Sequence, residues 1–299
     1  MVRRALTLSV ASFLALVWPA TTLAAAQTPS LETLTASPSV IRAEAKAGGS
    51  YAGQIKLLDT GNTSYDLIVY ATPYSVSGEN YDQSFVLQPK MVDASKWFHF
   101  NQTSYHMAPH TTVLVPYQIQ IPAGVGSGGY YAVVFAQTSQ AGGGTIKAQK
   151  RLGILQYITV SGNLNRSGRI ESFAVPFLQT TSPLQTTLRL RNDGNVHYDA
   201  ATEVLVKDLF GNTKAILSDN HTVLPSTIRR MSINWDKSPG FGLFRVEGTV
   251  DINGKTDQLP VRYTLLLSQT AFIIIFLCLV ALVAYAVLSL RRRGNVGKR

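Results

Sequence analysis

Hydrophobic and polar residues alternate along most of this chain. Val113, Val115, Tyr117, Ile119 and Ile121 fall on one side of a stretch whose other side carries Thr112, Pro116, Gln118 and Gln120, with Leu114 out of step. A period of two marks a strand with one face buried. The rhythm returns where Leu184, Thr186, Leu188 and Leu190 alternate with Gln185, Thr187, Arg189 and Arg191. It returns again with Phe244, Val246 and Val250 against Arg245, Glu247 and Thr249, and with Leu259, Val261, Tyr263 and Leu265 against Gln258, Pro260, Arg262 and Thr264. Further strands are predicted at 50–58, 65–74, 130–138 and 153–160, separated by turn formers at Gly48-Gly49, Gly61-Asn62, 124–129 and 142–144. Pro116 has no N–H for a ladder, so its strand is expected at an edge or bulged there. No segment between the two ends of the chain sustains a 3.6-residue apolar period. Many short strands with turns between them predict an all-β sandwich architecture.

Two runs break this rhythm. Residues 271–290 carry no charge and no proline, and about 20 apolar helical residues cross a bilayer core. A helix is expected because a lipid-exposed segment must satisfy its own backbone hydrogen bonds. Arg291, Arg292 and Arg293 follow at once, with Lys298 and Arg299 beyond, and set this end on the cytoplasmic side. At the other end, Arg3 and Arg4 precede an apolar stretch and the small residues Ala24, Ala25 and Ala26, the pattern of a secretory signal peptide cut before Gln27. The expected plan is a signal peptide over 1–26, a first sandwich domain over 27–162, and a second, membrane-proximal one over 163–266. A transmembrane helix over 267–290 and a basic tail over 291–299 complete it. That is a single-pass plasma-membrane protein with its N-terminal ectodomain outside. The boundary falls in the short polar segment 163–168, so the two domains should be close neighbours.

An internal repeat supports two domains. Leu57, Asp59, Gly61, Asn62, Tyr65 and Asp66 recur at the same offsets as Leu190, Asn192, Gly194, Asn195, Tyr198 and Asp199. Each copy reads as a turn between strands, with glycine and asparagine tolerating positive φ and an acidic or amide side chain capping the turn.

Charge changes the picture little. The net charge is +10, yet the region between the two apolar runs holds 20 Lys+Arg against 17 Asp+Glu. The high pI is therefore topology rather than a nucleic-acid footprint. The one cysteine, Cys278, lies in the apolar run. The ectodomain then has no disulfide, which fits a bacterial or archaeal surface better than an animal one.

Candidate chemistry is sparse. Asp59, Asn62 and Asp66, and Asn192, Asp193, Asn195 and Asp199, supply oxygens for calcium but lack the spacing of its helix-loop-helix sites. His99, His106 and His110 are close in sequence without the partners of a usual metal site. There is no G-x-S-x-G and no cysteine nucleophile outside the apolar run. No catalysis, cofactor or metal is expected. Two aromatic stretches remain, one around Trp97, Phe98 and Phe100, the other from Gly128 through Tyr130 and Tyr131 to Ala136. The second is apolar on both faces, so its second face must meet a neighbouring domain, a long loop or a partner.

The ectodomain resembles the tandem immunoglobulin-like region of bacterial WxL-interacting surface proteins. The likeness rests on Trp97, Pro109 before the 113–121 strand, Pro122, Gly128-Gly129-Tyr130-Tyr131, Asn192-x-Gly194-Asn195-Val196-His197 and Asp208-x-Phe210-Gly211, with Ser127 where that family often has proline. The resemblance implies two tandem immunoglobulin-like β-sandwich domains plus one C-terminal transmembrane helix. It also implies a non-enzymatic surface protein that binds peptidoglycan or other envelope proteins. Trp97, Phe98, Tyr130 and Tyr131 are the candidate contact positions, because aromatic rings stack on sugars and fill partner pockets. Two other readings are a structural stalk or assembly factor acting by strand-edge pairing, and an exported hydrolase with carboxylates or a Ser-His pair converging in a cleft.

Overall fold

The computed structural model describes residues 34–138 and 151–296, with side chains as far as Leu288. The signal-peptide expectation, the 142–144 turn, and Lys298 and Arg299 lie outside the described residues, as do the side chains of Arg291, Arg292 and Arg293. In chain order the first part comprises β1 (Leu34–Ser37), β2 (Val40–Ala45), β3 (Ser50–Asp59), β4 (Tyr65–Pro73), β5 (Ser75–Ser77), β6 (Asp82–Ser84), β7 (Phe98–Phe100), β8 (Ser104–Met107), β9 (Thr112–Gln120), β10 (Gly128–Thr138) and β11 (Arg151–Val160). The second comprises β12 (Gly168–Ala174), β13 (Leu178–Gln179), β14 (Leu184–Asn192), β15 (Tyr198–Lys207), β16 (Thr213–Val223), β17 (Ile228–Trp235), β18 (Phe241–Ile252) and β19 (Lys255–Leu267), followed by helix α1 (Gln269–Val296).

These strands form two tandem immunoglobulin-like β-sandwiches. The first stacks the sheet β1-β3-β9-β7 on β2-β11-β10-β4-β8, and the second stacks β12-β14-β17 on β13-β19-β18-β15-β16. The alternation in the sequence sets the packing. Val115, Tyr117, Ile119 and Ile121 point inward from the 113–121 stretch and meet Ile55, Leu57, Leu67, Val134, Ile154 and Ile158. Leu188 and Leu190 do the same in the second core, against Val204, Met231, Val246 and Val250. Leu114, the residue out of step, is exposed.

Both domains begin with the same device. The first strand pairs in one sheet, then the chain crosses over and pairs in the other, parallel to the domain's last strand. Thus β1 is antiparallel to β3 while β2 runs parallel to β11. Likewise β12 is antiparallel to β14 while β13 runs parallel to β19.

Proline marks two irregularities, one expected and one not. β9 lies inside its sheet, but β7 covers only Tyr117, Gln118 and Ile119, leaving the flank beside Pro116 open. In β19 the single alternation expected from Leu259 to Leu265 is broken. Val246 pairs with Arg262 and Gly248 with Leu259, so β19 carries an extra residue around Pro260 and Val261. That bulge reverses the facing of the rest of the strand. Leu259 is buried, Val261 and Tyr263 are exposed, and Thr264 and Leu266 turn inward.

The helix starts with almost no linker. Ser268 donates its N–H to Gly240 O at 2.8 Å and caps the helix by accepting the Ala271 N–H on its hydroxyl at 3.2 Å. The window Gln269–Leu288 has a mean hydropathy of 3.1 and is not buried against any described residue, and it has the length and composition to cross a membrane.

Candidate functional site

The repeated turns carry the most ordered polar chemistry. In the first, Tyr65 donates to the buried Asp59 carboxylate at 3.0 Å. In the second, Asn192 is buried, accepts the Gly194 N–H and donates to Val196 O and Val223 O. These are caps of the β3–β4 and β14–β15 turns. Among the described residues no group of three His, Cys, Asp or Glu side chains comes together as a metal site. His106 pairs with Asp66 and His110 with Asn62, on separate partners.

The second turn is also the hinge-pin of the domain junction. Asn195 O accepts the Gly129 N–H at 2.8 Å, and Asn195 and Asn165 exchange bonds through N–H, carbonyl and amide side chain. The Asn195 amide donates to Asn163 O and Ser127 O. One asparagine therefore ties the 161–167 linker, the start of β10 and the β14–β15 turn together. The approach is close. A Cβ on Gly194 would sit 2.1 Å from Asn165 O, and one on Gly128, whose φ is 150°, 2.9 Å from Asn195 O.

Around this pin lie three side-chain clamps. Tyr131 Oη accepts the His197 backbone N–H at 3.1 Å and lies 3.2 Å from its Nδ1. A hydroxyl that accepts from N–H and donates to Nδ1 fits a neutral ring, and burial depresses the His197 pKa to about 4, with the nearby Arg42 charge adding to the effect. Arg42 grips Asp199 with Nη2–Oδ distances of 2.9 and 3.0 Å. On the other flank, Glu79 in the β5–β6 turn accepts from Arg189 Nε at 2.8 Å and Arg230 Nη2 at 3.2 Å, while its backbone carbonyl accepts the Arg230 N–H at 2.8 Å. The bond from Arg189 holds the Glu79 carboxyl below its ordinary pKa. Tyr81 adds its hydroxyl as acceptor for the Leu224 N–H, with Arg229 over its ring at 4.5 Å.

The doubly apolar strand β10 is explained by this junction. One face, with Ala132, Val134 and Ala136, belongs to the first core. The other, with Tyr131, Val133 and Phe135, is covered by Tyr74, Val76, Tyr81 and Phe85 from the excursion between β4 and β7, and by Leu224 of the second domain.

The four aromatic candidates separate accordingly. Trp97 and Tyr130 are brought together, ring centroids 4.9 Å apart, where they close one end of the first core. Phe98 is buried beside Tyr117, and Tyr131 is buried at the junction against Tyr157 and His197. Only Tyr130 keeps part of its ring at the surface, with its hydroxyl donating to Gly126 O. Two openings touch these residues. A groove of about 920 Å³ on the first domain is lined by Asp93, Lys96, His99, Gln118 and Gln120 and reaches the buried Trp97. An interdomain cleft of about 910 Å³ is lined by Tyr74, Val76, Met91, Tyr130, Tyr131 and Leu224, with no carboxylate or histidine in its lining.

The strand edges are what the sequence left unspecified. β7 and β8 are short, β12 and β19 are bulged, and Glu79 covers part of β17. β16 is long and has no outward neighbour among the described residues, but Asp219 and His221 pair at 2.8 Å on its inner side. Such features blunt an edge against added strands. β11 differs. β2 covers it only from Leu155 to Val160, so among the described residues Arg151, Leu152, Gly153 and Ile154 have no strand neighbour on that flank. Leu155 N–H points across to Ser39 O. By strand alternation the backbone groups of Gly153 and Arg151 face the same open side.

No protein-family model and no curated protein matches the sequence. Solved structures of similar fold include the class 5 fimbriae chaperone CfaA, at 9% identity and TM-score 0.40 over 77% of this chain and 98% of that one. Another is the CsuC–CsuE chaperone–tip subunit pre-assembly complex from Acinetobacter baumannii, at 12% identity and TM-score 0.39 over 79% and 99%. The Pseudomonas aeruginosa CupB2 chaperone gives 9% identity and TM-score 0.38 over 78% and 100%. At this depth the likeness carries no argument about activity. The family reading is nonetheless corrected: these solved structures of similar fold are fimbrial chaperones, not WxL-interacting proteins. The residues behind that reading have a general cause, since Gly128, Gly129, Asn192 and Asn195 are what a turn and a tight domain junction require.

Proposed function

We propose that this chain is a membrane-anchored assembly or docking factor of the cell envelope that takes an extended segment of another envelope protein by strand addition. The supporting observation is the flank of β11 at Arg151, Leu152, Gly153 and Ile154, which no described strand covers. An unpaired edge without bulge or proline is a template for a partner strand, with main-chain bonds giving affinity and alternate side chains giving selectivity. The clamped junction supports the same reading, because it holds the outer domain in a fixed attitude above the anchor. α1 is the anchor, and Arg291, Arg292 and Arg293 orient it with the ectodomain outside and the tail in the cytoplasm.

The test is a photo-crosslinking residue in place of Arg151 in the full chain, with the same residue at Asn220 on β16 as control. The expected product at Arg151 joins an extended envelope-protein segment with alternating apolar residues, read by mass spectrometry, and Gly153→Pro removes it by deleting an outward N–H. Equal labelling at both positions, or a product that persists in Gly153→Pro, would overturn the reading.

The polymer reading has one foothold, the 920 Å³ groove lined by amide and charged side chains beside the buried Trp97. Retention of the ectodomain on insoluble cell wall above a bare matrix supports it, and no such retention rejects it.

A further inference from the structure

The lower end of the second domain exposes large apolar side chains where α1 leaves it. Phe210 is 90% exposed, Leu209 64%, Phe177 66%, Phe241 59% and Leu178 52%. They lie in one region because the strand registers put them there. Phe241 pairs with Leu267, Leu178 with Leu265, and the β15–β16 turn carrying Leu209 and Phe210 lines the same apolar groove as Phe241 and Trp235. Leu267 is two residues from the start of α1, and Ser268 is bonded to Gly240. The patch therefore surrounds the point where the helix departs. Soluble surfaces rarely keep so many large apolar groups together.

We infer that this rim is a membrane-interface surface, seated in the headgroup layer around the entry of α1, so that the second domain stands on the bilayer. The inference rests on α1 crossing the membrane as the proposed anchor. The occupant is set by continuity. A helix that enters lipid at Gln269 brings Phe241 and the β15–β16 turn to the same depth, with no linker to lift them away. The chemistry agrees. Trp235 sits among the lining residues with Lys214 and Lys237, and aromatic rings and lysines are the groups that settle at the lipid–water boundary. Lys214 is paired with Asp208 at 3.0 Å, so Lys237 is the better placed of the two for an anionic headgroup.

Depth measurement decides the matter. The full chain carrying Cys278→Ala is reconstituted in phosphatidylcholine–phosphatidylglycerol vesicles, with a nitroxide at Phe210→Cys, Leu114→Cys or Val287→Cys in turn. All three sites are exposed in the fold, so the substitutions disturb no core. Collisions with oxygen and with a water-soluble nickel complex are compared. The expected ratio of oxygen to nickel access at position 210 is severalfold above that at 114 and below that at 287. If 287 lies in lipid while 210 is as wet as 114, the rim is not a membrane surface although the anchor stands. If 210 is shielded from both reagents, protein covers it and the inference fails. If 287 itself is wet, the anchor reading falls and the rim with it.

Discussion

His197 sits neutral at the seam between two domains, and that fixes how stability should depend on pH. Its folded pKa is about 4 against an ordinary 6.5, chiefly through burial. Between those values the unfolded chain takes a proton that the folded chain refuses. Stability is therefore intact above the upper value and is lost as pH falls through the window, by roughly 3 kcal/mol at the limit. Replacing His197 with glutamine should flatten the fall in unfolding midpoint between pH 6.5 and 4.5, measured by urea titration of both proteins. An unchanged slope would place the effect elsewhere. In the sequence this residue stands only inside the 192–197 motif of the second turn, with no role of its own. His197 occupies the position where the first copy has Ser64, and nothing local says that a tyrosine from 66 residues earlier will meet it.

At the scale of elements, the β5–β6 hairpin is a latch. Its tip, Glu79, holds two arginines and one backbone N–H of the neighbouring domain. Glu79→Ala leaves the carbonyl but removes the charge that locks it in place. Amide exchange at Arg230 and its β17 neighbours should speed up while exchange in β14 next to β12 stays as before. Equal protection in both proteins would show that the carbonyl alone suffices. The strand pattern was largely legible, because half-buried strands write themselves in period two. β9, β14 and the start of β18 face as their alternation predicts. β19 does not, since a bulge shifts phase without changing composition. β16 has a mostly polar outer row broken by Ile216 and a mixed inner one, so its length could not be read from hydropathy. Which edge stays open was also illegible, because coverage depends on where strands from elsewhere stop. The burial of two site aromatics was illegible for a related reason. Trp97 and Phe98 look like surface rings in a polar stretch, yet they cap the core from a short turn.

At the scale of the whole molecule, the two sandwiches share a packed cluster, a linker bonded through Asn195, and charged clamps on both flanks. They should melt as one unit. Calorimetric and van't Hoff enthalpies of the full chain are expected to agree. Asn195→Ala, which strips the linker of its side-chain bonds, should cost about 1–3 kcal/mol and separate the transition into two. A wild-type protein with two resolved transitions would argue that the junction is only a contact.

The shared cover over β10 also has a bearing on synthesis. Tyr131, Val133 and Phe135 emerge from the ribosome roughly ninety residues before Leu224 arrives to shield them, and apolar surface left bare in that interval invites wrong associations. The excursion between β4 and β7, which is made earlier, already supplies Tyr74, Val76 and Phe85 to the same face. The nascent chain thus carries its own temporary shelter, and the second domain replaces no vacancy but tightens a lid that is already half shut.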